Sequence, residues 1–250
     1  MSAPRPAVLL VHGLGGSAQS MAPLERALAA RRVSATAITL PGHGTSPDDL
    51  AGVAWSDWKA AVDHAVGDAD RGAGVVVVGQ SMGGALALHT AAHGPSRDAL
   101  RAVVAVNTPL GDPDAPDAIE WRMSRGQLSI DATVVDGELG YVSLPMAAVL
   151  AMSSGLLEVD LAAVTVPVMV VNGALDDSVD PATGDALVAA LTGVPAAHRH
   201  RRVLADTGHV ATFGPEVEAL ADLVAGLVAG LVDGTVDGPI GPSIDDAPLT

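Results

Sequence analysis

A serine stands between two glycines where a buried strand should give way to a helix. The segment Gly79-Gln-Ser-Met-Gly83 follows the apolar run 75–78 and precedes the apolar stretch 85–92. Glycines at these positions permit a tight turn that projects the serine hydroxyl, and the N-terminus of the following helix directs N–H groups toward developing negative charge. Ser81 is therefore the predicted nucleophile. The alternative is a glycine-rich turn that contains a serine by chance.

A serine hydroxyl becomes an effective nucleophile only when a neighbouring base removes its proton, so a histidine is expected downstream. Of the eight histidines, His209 directly follows the last predicted strand, in the segment Asp206-Thr-Gly-His-Val210. Loops at the carboxyl ends of parallel strands are where such sheets place their sites. We predict His209 as the base. The other candidates are expected to be exposed or structural: His12, His43, His198 and His200.

The base needs an acid to orient it, and in proteins with a serine on such a turn this acid precedes the histidine in the chain. The segment Val170-Val-Asn-Gly-Ala-Leu-Asp-Asp-Ser-Val179 supplies two adjacent aspartates after the preceding predicted strand. Asp176 is preferred from its spacing between Gly173 and Val179. Asp177 remains the alternative.

Acyl transfer also needs N–H donors for the oxyanion that forms when a carbonyl is attacked. The glycine-rich segment His12-Gly-Leu-Gly-Gly16 follows the first predicted strand, so the predicted donors are the N–H groups of Leu14 and Met82. The segment lacks the G-x-G-x-x-G spacing and the following lysine of phosphate-binding loops, and no metal-binding pattern such as H-E-x-x-H occurs. We therefore expect that the protein binds no nucleotide, no other cofactor and no metal ion.

Strands and helices alternate along most of the chain, which predicts an α/β fold with a doubly wound, mostly parallel sheet. Short apolar runs predict strands at 7–11, 36–40, 75–78, 103–106, 166–171 and 201–205. Apolar residues at helical spacing predict helices within 19–30, 55–66, 85–92 and 220–231. These elements form one predicted domain over residues 1–232.

Two segments interrupt the alternation. Residues 111–160 show no clear strand, and about fifty residues exceed what a plain connection needs, so they are predicted to form an inserted cap. Residues 233–250 are acidic and rich in glycine and proline without periodicity, which predicts a flexible tail.

Composition narrows the classes of partner. The chain has 250 residues, no cysteine, and a formal charge of −16 from 13 Lys+Arg against 29 Asp+Glu. Such acidity repels nucleic-acid phosphates and anionic membrane surfaces, which argues against nucleic-acid binding. The longest weakly polar stretch, 223–232, is shorter than the roughly 20 apolar residues of a membrane-spanning helix. We expect a soluble, cytoplasmic protein whose partner is a small molecule.

Together, the segments around Leu14, Ser81, Asp176 and His209, with the turn Pro41-Gly-His-Gly, resemble the α/β-hydrolase family across nearly residues 7–232. The small cap and the ending His209-Val-Ala-Thr are similar to bacterial carboxylesterases and monoacylglycerol lipases. The resemblance implies hydrolysis of short to medium acyl esters or monoacylglycerols by a catalytic triad of Ser81, Asp176 and His209. It also implies that Leu14 and Met82 supply the oxyanion donors.

The resemblance also implies a pocket for the acyl chain. Phenylalanine and tyrosine occur once each, so the pocket is expected to use Leu, Val and Met side chains. Predicted members from the cap are Ile119, Trp121, Met123 and Met146. Relatives with the same triad cleave amides, thioesters or carbon–carbon bonds, and a ligand-binding protein could retain the triad without using it, so these alternatives remain open.

Overall fold

The computed structural model describes residues 5–133, 135, 137–138 and 140–235. The described chain forms these strands: β1 (Ala7–Val11), β2 (Ala35–Ile38), β3 (Val75–Gln80), β4 (Leu100–Val106), β5 (Ser129–Asp131), β6 (Ser143–Pro145), β7 (Val168–Gly173) and β8 (Arg199–Leu204). Six of them build one parallel sheet in the order β2-β1-β3-β4-β7-β8, and β5 pairs antiparallel with β6. The predicted mostly parallel sheet is confirmed.

Helices connect the strands and cover the sheet. The α-helices are α1 (Ala22–Ala30), α2 (Pro47–Leu50), α3 (Trp55–Ala69), α4 (Met82–His93), α5 (Ala115–Ser124), α6 (Met146–Leu156), α7 (Thr183–Ala190) and α8 (Val217–Asp233). Short 3-10 helices occur at Ala18–Met21, Arg97–Ala99, Leu161–Ala163, Ala196–His198 and Ala211–Phe213. No helix among the described residues is both long and apolar enough to cross a bilayer. The cytoplasmic location stays a prediction.

The sheet carries a hydrophobic core on each face. Alternate residues of β3 point to opposite faces, so Val75 and Val77 pack with α3 and α4, whereas Val76 and Val78 pack with α1 and α8. This double burial explains the uninterrupted apolar run, because a parallel strand covered on both faces needs no polar positions. The parallel arrangement also brings the loops that follow these strands to one edge of the sheet.

Several predicted boundaries differ from the structure by a few residues, and two of these differences have a local reason. The segment predicted as one helix over 19–30 is a 3-10 turn followed by α1, which begins at Ala22 with Pro23 in its first turn. Proline suits a helix start because it has no N–H to donate. The strand predicted at 36–40 ends at Ile38, and the N–H of Leu40 donates to Nε2 of His12 at 3.0 Å.

The segment predicted as a cap contains α5, β5, β6 and α6, and its described residues add no strand to the main sheet. Helix α6 packs against α3 so closely that a Cβ on Gly155 would lie 2.1 Å from Cδ2 of Trp55. A glycine is therefore required at this contact. The boundaries of the cap stay a prediction, and residues 236–250 of the predicted tail lie outside the described residues.

Candidate active site

Ser81 occupies the turn between β3 and α4 in a backbone conformation that is uncommon for a residue with a side chain, with φ of 53° and ψ of −120°. Its N–H donates to the carbonyl of Val106 at 2.8 Å. A Cβ on Gly79 would lie 2.3 Å from the oxygen of Gly83, and a Cβ on Gly83 would lie 2.3 Å from the oxygen of Val11. Both glycines are therefore required by backbone contacts that shape the turn.

The loop after β8 places His209 beside Ser81. Nε2 of His209 lies 3.1 Å from Oγ of Ser81, and Nδ1 lies 3.0 and 2.9 Å from the carboxylate oxygens of Asp176. An ionised carboxylate only accepts, so Nδ1 is the donor and Nε2 is left to accept the hydroxyl proton. These distances lie within the reach expected of a nucleophile, its base and the group that orients the base.

The Asp176 carboxylate is held by its own turn as well as by His209. Oδ1 accepts the N–H groups of Ser178 and Val179, each at 2.9 Å. Burial alone would raise the pKa of Asp176, but the hydrogen bond and charge of His209 and the two N–H donors lower that pKa below its ordinary value. The carboxylate of exposed Asp177 instead accepts the hydroxyl of Ser178 at 3.2 Å. The structure thus brings Asp176 to His209.

The predicted oxyanion donors belong to two segments that meet at the nucleophile. Met82 is the first residue of α4, and Leu14 lies in the loop after β1. Among the described residues, neither N–H has an acceptor. The loop approaches the nucleophile so closely that a Cβ on Gly13 would lie 3.1 Å from Cβ of Ser81. The two segments that meet at Ser81 therefore each contain an unengaged N–H donor.

A cavity of about 290 Å³ opens over Ser81 and His209. Its walls are mainly apolar and include Leu14, Met21, Ile130, Leu144, Val149, Met152, Val179 and Val210. The described residues that line it include two carboxylates, those of Asp131 and Glu138, and no lysine or arginine. The cavity therefore offers an apolar surface with negative charge and no neutralising cation.

Comparison with known proteins identifies the family. Residues 8–223 match the alpha/beta hydrolase family over most of the chain. The chain belongs to this family. The resemblance inferred from the sequence is thereby confirmed, and the protein is a hydrolase by family and fold.

Two relatives of this α/β hydrolase have names that state an activity. The thermostable monoacylglycerol lipase of Bacillus sp. (strain H-257) is 29% identical over 216 residues, which cover 82% of this chain and 83% of the relative. A pimeloyl-[acyl-carrier protein] methyl ester esterase of Xanthomonas campestris pv. campestris is 37% identical over 115 residues, which are 46% of this chain and 43% of that esterase. The second match therefore spans less than half of that relative.

Solved structures share the fold of this α/β hydrolase. A chain from the study of the metagenome-derived lipolytic enzymes LipS and LipT superimposes with a TM-score of 0.78 at 24% identity, covering 91% of this chain and 95% of that one. The monoacylglycerol lipase of Paleococcus ferrophilus gives a TM-score of 0.71 at 18% identity, with 93% and 97% covered. At such identities the likeness shows the fold.

The described lining of the cavity does not include the four residues predicted from the sequence to form the acyl pocket. Ile119 and Met146 are buried at 8% and 1% exposure within the protein, while Trp121 is 60% exposed. The guanidinium of Arg125 lies 5.1 Å from the Trp121 ring centroid. Met123 is also absent from the described lining. Other residues of the segment line the cavity instead: Ile130, Leu144, Val149 and Met152.

Sequence reasoning missed the polar residues that surround His209. Nδ2 of Asn107 donates to the carbonyl oxygens of Gly208 at 3.0 Å and His209 at 2.7 Å, and Nε2 of Gln80 donates to the same His209 oxygen at 2.6 Å. Their positions in the sequence could have indicated a role at the site. Gln80 ends β3 and Asn107 directly follows β4, at the edge where parallel strands place their sites.

His12 and His43 form a buried pair beneath the loop after β1, with ring centroids 4.7 Å apart. Nδ1 of His12 donates to the carbonyl of Gly13 at 2.7 Å, and its Nε2 accepts the N–H of Leu40. Burial and the nearby charge of His43 lower the pKa of His12 to about 3, despite the opposing hydrogen bond to Gly13. Burial also lowers the pKa of His43. Both rings are therefore neutral near pH 7.

The part of the chain that the structure describes contains no group of three or more His, Asp or Glu side chains arranged to hold a metal ion.

Proposed function

We propose that this α/β hydrolase cleaves carboxylic esters with short to medium acyl chains, including monoacylglycerols, through an acyl-enzyme on Ser81. One observation carries the proposal: Asp176, His209 and Ser81 form a continuous hydrogen-bonded line that ends under an apolar cavity. The names of the lipase and esterase relatives support the choice of ester as the reacting group.

The reaction begins when Oγ of Ser81 attacks the ester carbonyl carbon while Nε2 of His209 takes the hydroxyl proton. The N–H groups of Leu14 and Met82 stabilise the negative oxygen of the tetrahedral intermediate. The bond between the carbonyl carbon and the alcohol oxygen then breaks, and His209 returns the proton to the leaving oxygen. Water, activated by His209, repeats the sequence on the acyl-enzyme and releases the acid and free Ser81.

The cavity supports a limit on substrate size. Its volume of about 290 Å³ is at the lower end of the roughly 300–1,000 Å³ of small-molecule sites. Each methylene that the apolar wall accommodates contributes about 0.8 kcal/mol of binding. We therefore expect catalytic efficiency to rise with acyl length until the cavity is filled and to fall for long chains.

The experiment compares hydrolysis of p-nitrophenyl esters from acetate to palmitate, and of monoacylglycerols, by the wild type, Ser81→Ala and the exposed control Ser56→Ala. Labelling with a fluorophosphonate probe is followed in parallel. The proposal expects turnover to peak at short or medium chains, with turnover and labelling lost only in Ser81→Ala. Labelling of Ser81 without ester turnover would direct attention to amides, thioesters or carbon–carbon bonds. Absence of both in the wild type would favour a binding protein.

A further inference from the structure

The backbone carbonyl of His209 accepts hydrogen bonds from two side-chain amides at once. Nε2 of Gln80 lies 2.6 Å from this oxygen, and Nδ2 of Asn107 lies 2.7 Å from it. Gln80 is 4% exposed and Asn107 is fully buried. Both donors extend from strand ends in the middle of the sheet, so they connect the loop that carries His209 to the central strands β3 and β4.

The other end of the Asn107 amide reaches the strand that leads to Asp176. Oδ1 of Asn107 accepts the N–H of Gly173 at 2.7 Å, and the N–H of Asn107 donates to Val171 at 2.8 Å. Gly173 is the last residue of β7, three positions before Asp176. One buried side chain therefore connects the turn that carries the acid to the loop that carries the histidine.

The backbone of Asn107 is itself specialised for this place. Its φ is 45°, in the left-handed region that asparagine adopts more readily than most residues with a side chain. This conformation places the amide between the two loops instead of continuing β4. Both the backbone conformation and the hydrogen-bond pattern therefore favour asparagine.

We infer that Asn107 is a positioning residue, which fixes the spacing of His209 from Asp176 and Ser81 through the carbonyls of residues 208 and 209. The inference rests on the proposed function, in which His209 carries the proton. A base must lie about 2.6–3.2 Å from the atom whose proton it takes, and a misplacement of about 1 Å costs on the order of 100-fold in rate. Asn107 contributes to turnover without touching the substrate.

Asn107→Asp is the sharpest substitution because it preserves shape and alters the donor. The carboxylate can still accept the N–H of Gly173, but it presents an acceptor to the carbonyls of Gly208 and His209, so the loop must move away. Asn107→Gly, which tolerates positive φ, removes the side chain without adding charge.

Asn172 provides the matched control. It is a second buried asparagine, at 1% exposure, and it lies in β7 immediately before Gly173. Its Oδ1 has no hydrogen-bond partner among the described residues and faces Gly184, where a Cβ would lie 1.9 Å from it. Asn172→Asp therefore tests the cost of a buried carboxylate at the same edge of the sheet without changing the contacts to His209.

The experiment measures kcat, KM, the pH–rate profile and thermal unfolding for the wild type, Asn107→Asp, Asn107→Gly and Asn172→Asp. We expect kcat to fall about 10- to 100-fold in both Asn107 variants with KM changed less than about twofold. Asn172→Asp should retain kcat and the profile, whatever its effect on unfolding temperature.

Three outcomes would overturn the inference: wild-type kcat in a folded Asn107 variant, an equal loss of kcat in Asn172→Asp, or a loss confined to the unfolding temperature. If Asn107→Asp does not fold, the kcat of Asn107→Gly alone tests the positioning role. An inactive wild type refutes the proposed function, whereas an active wild type with unaffected Asn107 variants refutes only the positioning role.

Discussion

Tyr141 donates its backbone N–H to the carbonyl oxygen of Gly15 at 2.8 Å. Its hydroxyl donates to the carbonyl of Gly42 and accepts the N–H of Thr45, each at 3.0 Å, and its ring lies parallel to that of His43. Tyr141 belongs to the segment between β4 and β7. One residue thus attaches that segment to the loop with the predicted oxyanion donor and to the loop after β2.

Tyr141→Phe retains the ring and the backbone bond but removes both hydroxyl contacts. Each lost hydrogen bond costs about 1 kcal/mol, so the free energy of unfolding should fall by about 1–3 kcal/mol. We expect kcat to change less than stability, because the backbone bond from residue 141 to Gly15, in the loop that carries Leu14, is retained. Denaturant unfolding and steady-state kinetics check this, with the exposed neighbour Val142→Ala as control. Equal stability of the two variants contradicts the role of the hydroxyl.

Asp176→Asn should lower kcat by about 10³- to 10⁴-fold, because an amide cannot hold the His209 ring with its proton on Nδ1. Asp177→Asn changes an exposed neighbour and should leave kcat within about twofold of the wild type. Steady-state kinetics on one p-nitrophenyl ester separate the two positions. If Asp177→Asn were the more damaging variant, the assignment of the acid would be wrong.

Gly13→Ala places a methyl group 3.1 Å from Cβ of Ser81 and 3.3 Å from the carbonyl oxygen of Gln80. The loop or the turn of Ser81 must shift by a few tenths of an ångström, and a shift of the loop displaces the N–H of Leu14, the proposed oxyanion donor. Loss of one such donor costs about 100- to 1,000-fold in kcat, and we expect a reduction of up to this size. Gly52→Ala, where a Cβ meets no atom within 4 Å, is the control. Normal kcat in Gly13→Ala would count against Leu14 as a donor.

Acid should destabilise the protein through His12. Its pKa is about 3 in the folded protein against 6.5 ordinarily, so the unfolded chain binds a proton that the folded one does not. The contribution of His12 to the free energy of unfolding is therefore fully present above about pH 6.5 and is lost as the pH falls toward 3. Between about pH 7.5 and pH 5.5, His12 alone should lower the free energy of unfolding by about 1.4 kcal/mol.

Unfolding free energies at both pH values for the wild type, His12→Gln and the exposed control His64→Gln measure this effect. The pH dependence should shrink only in His12→Gln. An unchanged dependence in that variant would assign the acid sensitivity to other groups, of which His43 is the nearest, since its pKa is also lowered.

The sequence was most informative where backbone packing restricts residue type. Gly79 and Gly83 are required by contacts with neighbouring carbonyls, so the pattern around Ser81 reported a real steric constraint. The parallel sheet could be predicted equally well, because its strands are apolar on both faces. The choice between Asp176 and Asp177 was weaker, since it depends on which carboxylate accepts the N–H groups of Ser178 and Val179.

Contacts between segments that are distant in the chain could not be predicted from the sequence. Apolar spacing in α5 and α6 indicates that side chains such as Ile119 and Met146 are buried, but it cannot say whether they face the core or the cavity. Asn107 forms no recognisable motif, and its partner His209 lies 102 residues away in the chain. Such residues become visible only when the strand ends are placed side by side.

In the proposed ester hydrolysis, the acidic residues Asp131 and Glu138 in the cavity wall would affect the end of the catalytic cycle. An uncharged ester enters such a cavity without electrostatic penalty, but the proposed reaction would produce a carboxylic acid that is ionised near neutral pH. The new anion is repelled by walls that contain no lysine or arginine among the described residues. Product inhibition by the acid should therefore be weak, and the released anion is driven toward solvent.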